Sequence, residues 1–149
     1  MRWKKVSVVQ KEEVIEDLVD LLSEEQVNTN DEDLYEASVD RYKKYAFARN
    51  VIDVPQPVAI VYPDTSDEVS KLLKFCNEEK INVIPRSGDT STEGGLENWK
   101  DKTVIIDAEN LNKIVDIDTY NMQATVQAGV PLEELEDELR EKGFTTGHS

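Results

Sequence analysis

The residues with the clearest chemical potential form a polar loop at residues 84–95, with the sequence IPRSGDTSTEGG. The loop lies between two apolar runs that predict buried strands, INVIP and TVIID. A loop rich in Gly, Ser and Thr directly after a strand presents backbone N–H groups and hydroxyls, which are the groups that bind phosphate. The loop therefore predicts a phosphate-binding site. Taken alone, it is equally consistent with an ordinary surface connection between two strands.

The spacing of the loop glycines excludes the two most common nucleotide-binding loops. No Gly-Lys-Ser/Thr follows Gly88, and the three loop glycines lack dinucleotide-fold spacing. The loop instead resembles the pyrophosphate loop of the FAD-linked oxidases of the vanillyl-alcohol oxidase and p-cresol methylhydroxylase type. The matching positions are Pro85, Arg86, Gly88, Thr90, Ser91, Gly94 and Gly95. Ser87 and Asp89 depart from the commonest form of that family.

The resemblance covers residues 58–149 and follows the order of the family's segments. PVAIVYPDTSDEV resembles its entry strand and first helix, and VIIDAENLNKIVDIDTYNMQATVQAGV resembles its next strand, hairpin and Ala-Gly-Val turn. LEELEDELREKGFTTGHS resembles the following helix, and its ending GFTTGH is similar to the alkylglycerone-phosphate synthase branch. The resemblance implies the first subdomain of an FAD-binding domain. The family's second subdomain and substrate domain are expected to be absent from this truncated unit.

The resemblance implies noncovalently bound FAD. The residues that it implies for cofactor binding are Pro85, Arg86, Ser87, Gly88, Asp89, Thr90, Ser91, Gly94, Gly95, Gly147 and His148. Covalent relatives link the flavin through a histidine at the position of Thr90, and a threonine hydroxyl cannot form that bond. Because the backbone does most of the phosphate binding in the family, we expect Arg86 to be solvated or salt-bridged. His148 is one residue from the chain end and is expected to be exposed.

The resemblance also implies a reaction, the oxidation of a 2-hydroxy acid such as glycolate or D-lactate with hydride transfer to the flavin. Two alternatives stay open: the N-terminal part of an alkylglycerone-phosphate synthase, and a noncatalytic binding or assembly module. No catalytic residue is predicted, and no histidine-rich metal site, because His148 is the only histidine. The partners implied are FAD and the remainder of the flavoprotein or a complementary subunit.

The composition of the chain limits its partners and its compartment. The net charge of -15, from 32 acidic and 17 basic residues, disfavours binding to nucleic acid or anionic membranes. No apolar run approaches the roughly 20 residues of a transmembrane helix, and the N-terminus does not resemble a secretory signal. The single cysteine, Cys76, is expected to be a core residue. We expect a soluble, cytoplasmic protein.

The elements that must position the loop predict an α+β unit with α/β character, built on a small, partly parallel sheet with flanking helices and a hairpin. Residues 1–54 are predicted to be a helical extension, and residues 55–149 the FAD-binding subdomain. VAIVY and INVI, joined by a helix over residues 66–79, predict a parallel strand pair, and TVIID predicts a third strand. The alternation over residues 114–128 predicts a hairpin that turns at residues 119–121.

Apolar spacing predicts the helices and their buried faces. Residues 11–22 form an amphipathic pattern, and the last helix is expected to begin at Pro131 and end at Gly143. The residues expected to be buried on the second and last helices are Val69, Leu72, Leu73, Cys76, Leu132, Leu135 and Leu139. The anchors expected in the extension are Leu34, Tyr35, Tyr42, Tyr45 and Phe47. Asp40 either organises the extension or is a solvated surface acid.

Overall fold

A computed structural model describes residues 8–39 and 55–148, with side chains from Gln10 onward. The helices of this part of the chain are α1 (Val8–Leu21), α2 (Asp31–Glu36), α3 (Ser66–Glu78) and α4 (Leu132–Glu141). The strands are β1 (Val27–Asn28), β2 (Ala59–Val61), β3 (Asn82–Arg86), β4 (Thr103–Asp107), β5 (Ile114–Asp118) and β6 (Gln123–Val126). A short 3₁₀ helix, Glu24–Gln26, precedes β1.

The main sheet has the strand order β1-β2-β4-β3. β4 is parallel to both β2 and β3, and β1 pairs antiparallel with β2 at one edge. The prediction that β2 pairs directly with β3 is wrong, because β4 lies between them. All five residues of β4 are buried, as expected for a strand that is covered on both faces at the centre of a parallel sheet. The α+β class with a partly parallel sheet is confirmed.

The two faces of the main sheet carry separate clusters of buried side chains. On one face, Leu18 of α1 and Leu72 of α3 are fully buried against β2 and β4. On the other face, Leu34 of α2 and Leu96 pack with Ile105 of β4. Because both faces are covered, the loops that leave the carboxyl ends of the parallel strands start from fixed positions.

The described part of the N-terminal extension contains two helices, α1 and α2, in agreement with its predicted helical character, and a strand that the sequence did not predict, β1. Asn30 caps α2 by accepting hydrogen bonds from the N–H groups of Glu32 and Asp33. Leu34 is buried, but the expectation that Tyr35 is an anchor is wrong, since it is 46% exposed. Four residues singled out in this region lie outside the described residues: Asp40, Tyr42, Tyr45 and Phe47.

α3 begins with a capping interaction. The Thr65 hydroxyl accepts from the Glu68 N–H at 3.2 Å, and the Glu68 carboxylate accepts from the Asp64 N–H at 2.7 Å. Cys76 is buried on the inner face, whereas Leu73 is 48% exposed. The prediction for Leu73 is wrong because the stripe of α3 that contacts the sheet is narrower than the apolar pattern.

The hairpin and the last helix complete the fold. β5 and β6 form a separate two-stranded antiparallel sheet, which confirms the predicted hairpin. Pro131 takes the N-cap position of α4, and Gly143, at φ +81°, follows its end. Leu139 is buried, but Leu132 is 45% exposed and the prediction of its burial is wrong. Leu132 lies in the first turn, where the described residues cover only part of it.

Candidate functional site

Residues 84–86 of the predicted polar loop belong to β3, so the loop leaves the sheet after Arg86, where a charged pair fixes its start. Arg86 and Asp107 are the last residues of β3 and β4 and are partners in the parallel ladder. The Arg86 Nε–H donates to Asp107 Oδ2, and the two side chains are only 16% and 6% exposed. Asp107 Oδ1 also accepts from the Glu109 N–H at 2.9 Å. Asp107 thus joins the start of the polar loop to the turn after β4, and the expectation of a salt-bridged Arg86 agrees with this geometry.

The loop beyond Arg86 is exposed and turns through unusual backbone conformations. Asp89 has φ +49° and Gly94 has φ +84°, in the left-handed region that few residue types tolerate. Ser91 closes the far end, where its hydroxyl accepts from the Gly95 N–H at 3.1 Å. Among the described residues, no protein acceptor receives the N–H groups of Gly88 and Thr90. These two N–H groups are therefore available to donate to a ligand.

Tyr62 lies at the same edge of the sheet, directly after β2. Its backbone carbonyl accepts from Gln26 Nε2 at 3.1 Å and from Asn110 Nδ2 at 3.3 Å. Burial raises the pKa of the Tyr62 phenol, while the positive charge of nearby Arg86 opposes the shift. The phenol is therefore neutral at pH 7 and able to donate a hydrogen bond. Sequence reasoning missed this residue, although its place at a strand end was the signal that could have identified it.

A buried asparagine after the loop fixes its return to the sheet. Asn98 is completely buried, and its Nδ2 donates to the Pro55 carbonyl at 2.9 Å. The Asn98 N–H donates to the Ser38 carbonyl at 3.1 Å. Glu97, next to it, is 6% exposed. These contacts join the loop to the N-terminal extension, and nothing in the sequence pattern distinguished Asn98 from a surface asparagine.

The predicted residues near the C-terminus follow α4 in the chain. Gly147 and His148 are exposed and follow α4. Their N–H groups donate to Thr145 Oγ1 at 3.0 Å and Thr146 Oγ1 at 3.3 Å. No hydrogen bond among the described residues joins them to the polar loop. Gly147 and His148 are thus fixed by local hydrogen bonds to Thr145 and Thr146.

The groups at the polar loop fit the pyrophosphate of a dinucleotide. Unpaired backbone donors, the Thr90 hydroxyl and the absence of a side chain at Gly88 allow close approach of phosphate oxygens. A Cβ at Gly88 would have only Thr90 Cγ2 near it, at 3.7 Å. Asp89 is the unfavourable element, because its carboxylate repels an anion. No group of three metal-ligating side chains occurs within the described ranges.

The fold is that of a flavin-binding unit, and the chain belongs to the FAD binding domain family, which matches residues 57–149. FAD is therefore its cofactor. The family resemblance that the sequence of the loop and the following segments indicated is confirmed.

The chain is similar to two curated proteins and to one solved structure. The FAD-linked oxidoreductase YgcU of Escherichia coli (strain K12) is 43% identical over 136 residues, which is 91% of this chain and 28% of YgcU. The mitochondrial D-lactate dehydrogenase (cytochrome) 1 of Saccharomyces cerevisiae is 34% identical over 142 residues, which is 93% of this chain and 24% of that enzyme. A solved alkyldihydroxyacetonephosphate synthase shares the fold with a TM-score of 0.80 at 23% identity, over 100% of this chain and 27% of its own.

The lengths of these relatives limit what the similarity shows. The chain spans about a quarter of the length of these two curated relatives, 28% and 24%. Its membership therefore establishes the cofactor-binding unit and leaves the reaction to be proposed. Of the helices in residues 8–39 and 55–148, none combines the length and apolar character needed to cross a membrane.

Proposed function

We propose that this chain is the pyrophosphate-binding portion of a flavin-dependent oxidoreductase that acts on a 2-hydroxy acid of the D-lactate or glycolate type. The observation that carries the proposal is the loop after β3, which contains unpaired N–H groups. The start of this loop is fixed by the ion pair between Arg86 and Asp107. The similarity to a D-lactate dehydrogenase over 93% of the chain supports the substrate class.

In this proposal the polar loop holds the pyrophosphate mainly through its backbone. The N–H groups of Gly88 and Thr90 and the Thr90 hydroxyl donate to phosphate oxygens. Pro85, Ser87, Ser91, Gly94 and Gly95 shape the loop around the phosphates. Arg86 contributes positive charge at the start of the loop, although Asp107 partly neutralises it. Gly147 and His148 belong to a second contact region after α4.

The flavin supplies the redox chemistry when it is bound, by accepting a hydride equivalent from the substrate. The residues of this chain bind and orient it, and Thr90 leaves it noncovalently attached. None of the described side chains is assigned as the acid or base of the reaction. The role of the chain is therefore to position the cofactor.

Substitution of Thr90 tests the proposed cofactor contact. The Thr90 hydroxyl has no protein partner among the described residues, so Thr90→Val removes a donor without breaking a contact within the fold. A hydrogen bond to a charged group contributes about 1.5 to 3 kcal/mol, so the FAD dissociation constant should rise at least about tenfold. Thr119→Val, in the exposed hairpin turn, is the control and should leave it unchanged. Equal FAD affinity of both variants, measured by quenching of flavin fluorescence, would contradict the assignment.

The reading frame downstream of Ser149 tests the substrate class. A Pro-x-Ser continuation followed by a further domain supports the enzyme, and the longer protein is then mixed anaerobically with D-lactate, glycolate or L-lactate. We expect bleaching of the flavin absorption by D-lactate or glycolate and much slower bleaching by L-lactate. An early stop codon, or no bleaching by any of the acids, would favour the noncatalytic module.

A further inference from the structure

A buried carboxylate on α4 differs from every other acid on that helix. The remaining acidic residues of α4 are exposed: Glu133, Glu134, Asp137, Glu138 and Glu141. Glu136 is only 6% exposed. A carboxylate removed from water is costly unless hydrogen-bond donors replace the water. The donors that surround Glu136 therefore indicate what this side chain is for.

Most of those donors come from the segment after the helix. Glu136 Oε2 accepts from the Thr146 N–H at 2.9 Å and from Thr146 Oγ1 at 2.8 Å. Glu136 Oε1 accepts from Thr145 Oγ1 and from Arg140 Nε, the latter at 3.1 Å. Arg140 is itself 64% exposed, and such an exposed ion pair contributes little. Three of the four bonds thus fix residues 145 and 146.

The two threonine hydroxyls also bind the backbone of the next two residues. The oxygens that face Glu136 also accept from the backbone: Thr145 Oγ1 from Gly147 and Thr146 Oγ1 from His148. Gly147 has φ +74°, a conformation that an unanchored glycine has no reason to keep. One carboxylate therefore determines the backbone path of residues 145–148.

We infer that Glu136 is a positioning residue that holds residues 145–148 in the conformation that binds the cofactor. The inference rests on the proposed function, which assigns Gly147 and His148 to FAD. Among the described residues, Glu136 is the one side chain outside residues 145–148 that hydrogen-bonds to them. Without it, binding of the cofactor must order the segment. Glu136 acts through the two threonines and does not itself contact the cofactor.

The test combines three variants with two measurements and a check of the fold. Glu136→Ala removes all four acceptor bonds, and Thr146→Val removes only the hydroxyl that links Glu136 to His148. Glu138→Ala removes an exposed acid from the same helix and is the matched control. Amide hydrogen exchange of residues 144–148 reports the conformation of the segment without FAD. Titration with FAD up to millimolar concentration reports the affinity, and circular dichroism checks the fold.

We expect Glu136→Ala to speed exchange at residues 146–148 and to weaken FAD binding, each at least tenfold. Thr146→Val should change both in the same direction by a smaller factor, and Glu138→Ala should change neither. Faster exchange with unchanged FAD affinity would make Glu136 a structural residue only and overturn the inference. Weaker binding without faster exchange would overturn positioning as the cause.

Two further outcomes separate this inference from the proposal on which it rests. If the unchanged chain binds no FAD, the proposed cofactor contacts fail and the inference fails with them. If it binds FAD and Glu136→Ala binds equally well, only the inference fails. Should Glu136→Ala not fold, Thr146→Val decides alone, since it keeps the shape of the side chain and leaves α4 intact.

Discussion

Replacement of Gly129 by alanine tests how the hairpin and α4 are attached to the main sheet. Gly129 follows β6 and lies against the turn at residues 108–111, directly after Asp107. Its N–H donates to the Leu111 carbonyl at 2.9 Å. A Cβ on Gly129 would lie 1.8 Å from the Ala108 carbonyl oxygen and 3.0 Å from that of Leu111. Both atoms belong to the backbone, so no change of rotamer relieves the overlap.

The expected loss of stability follows from these distances. Carbon and oxygen atoms need about 3.4 Å, so the two backbone segments must separate by about 1.6 Å. That movement breaks the hydrogen bond to Leu111, at a cost of about 1 kcal/mol. Overpacking costs about 3 kcal/mol at the upper end of its usual range, and a rigid backbone contact belongs there. Gly129→Ala should therefore lower the free energy of unfolding by about 4 kcal/mol, a large effect for one substitution.

Urea unfolding followed by circular dichroism measures this effect. With a slope of about 2 kcal/mol per molar urea, the unfolding midpoint should fall by about 2 M. Gly88→Ala is the control, because its Cβ would make only an ordinary contact with Thr90 Cγ2 at 3.7 Å. Its midpoint should shift by less than about 0.3 M. A shift below about 0.5 M for Gly129→Ala, with an unchanged slope, would refute the steric argument.

Four further predictions follow from particular side chains. The FAD bound to the protein should be released by acid or heat because Thr90 cannot form a histidyl linkage, and a fluorescent protein band on a denaturing gel would contradict this. Asp89→Gly and Asp89→Asn should both tighten FAD binding at low salt, since a carboxylate about 5 Å from a phosphate costs at most about 3 kcal/mol at an effective dielectric constant of about 20. Asn also tolerates the left-handed backbone of Asp89, so weaker binding by both variants would show that repulsion between Asp89 and the phosphate does not control the affinity. Hydrogen bonds from Thr145 and Thr146 lower the pKa of Glu136 from 4.5 to about 2. The stability that the ionised carboxylate contributes to the folded state is therefore fully present above about pH 4.5 and is lost as the pH falls towards 2. Protection of the Thr146 amide from hydrogen exchange should fall over the same pH range, and Glu136→Gln should abolish this pH dependence. An unchanged pH dependence in Glu136→Gln would refute the assignment. Burial raises the pKa of the Cys76 thiol to about 11, so alkylation at pH 8 should be slow in the native protein and rapid in urea, and rapid native alkylation would count against its core position.

The polar loop shows how far sequence reasoning reaches at the site. The residues from Pro85 to Gly95 are contiguous, so their order alone placed them together after a strand. The loop conformation was not predictable in the same way. The positive φ of Asp89 and the ion pair between Arg86 and Asp107 depend on strand register. That register brings two residues 21 positions apart in the chain to the same edge of the sheet.

Residues that act through distant partners were missed for the same reason. Glu136 was one of six acids on α4, and its burial depends on how the chain returns after Gly143. Asn98 acquires its role from Pro55 and Ser38, which lie more than 40 residues away. Tyr62 lies beside Arg86 only because both are at carboxyl ends of parallel strands. None of these contacts has a signature in local composition.

The amino-acid sequence by itself determined the elements and the chemistry of the loop. Hydrophobic periodicity and capping residues are local properties, and they specified α1, α3, β4 and the hairpin. Only the tertiary structure decided that β4 lies between β2 and β3, and which face of each helix is covered. Strand order and burial depend on packing between segments far apart in the chain. A strand that is apolar on both faces buries most apolar surface at the centre of the sheet. A local pattern carries no information about which distant surface will cover it.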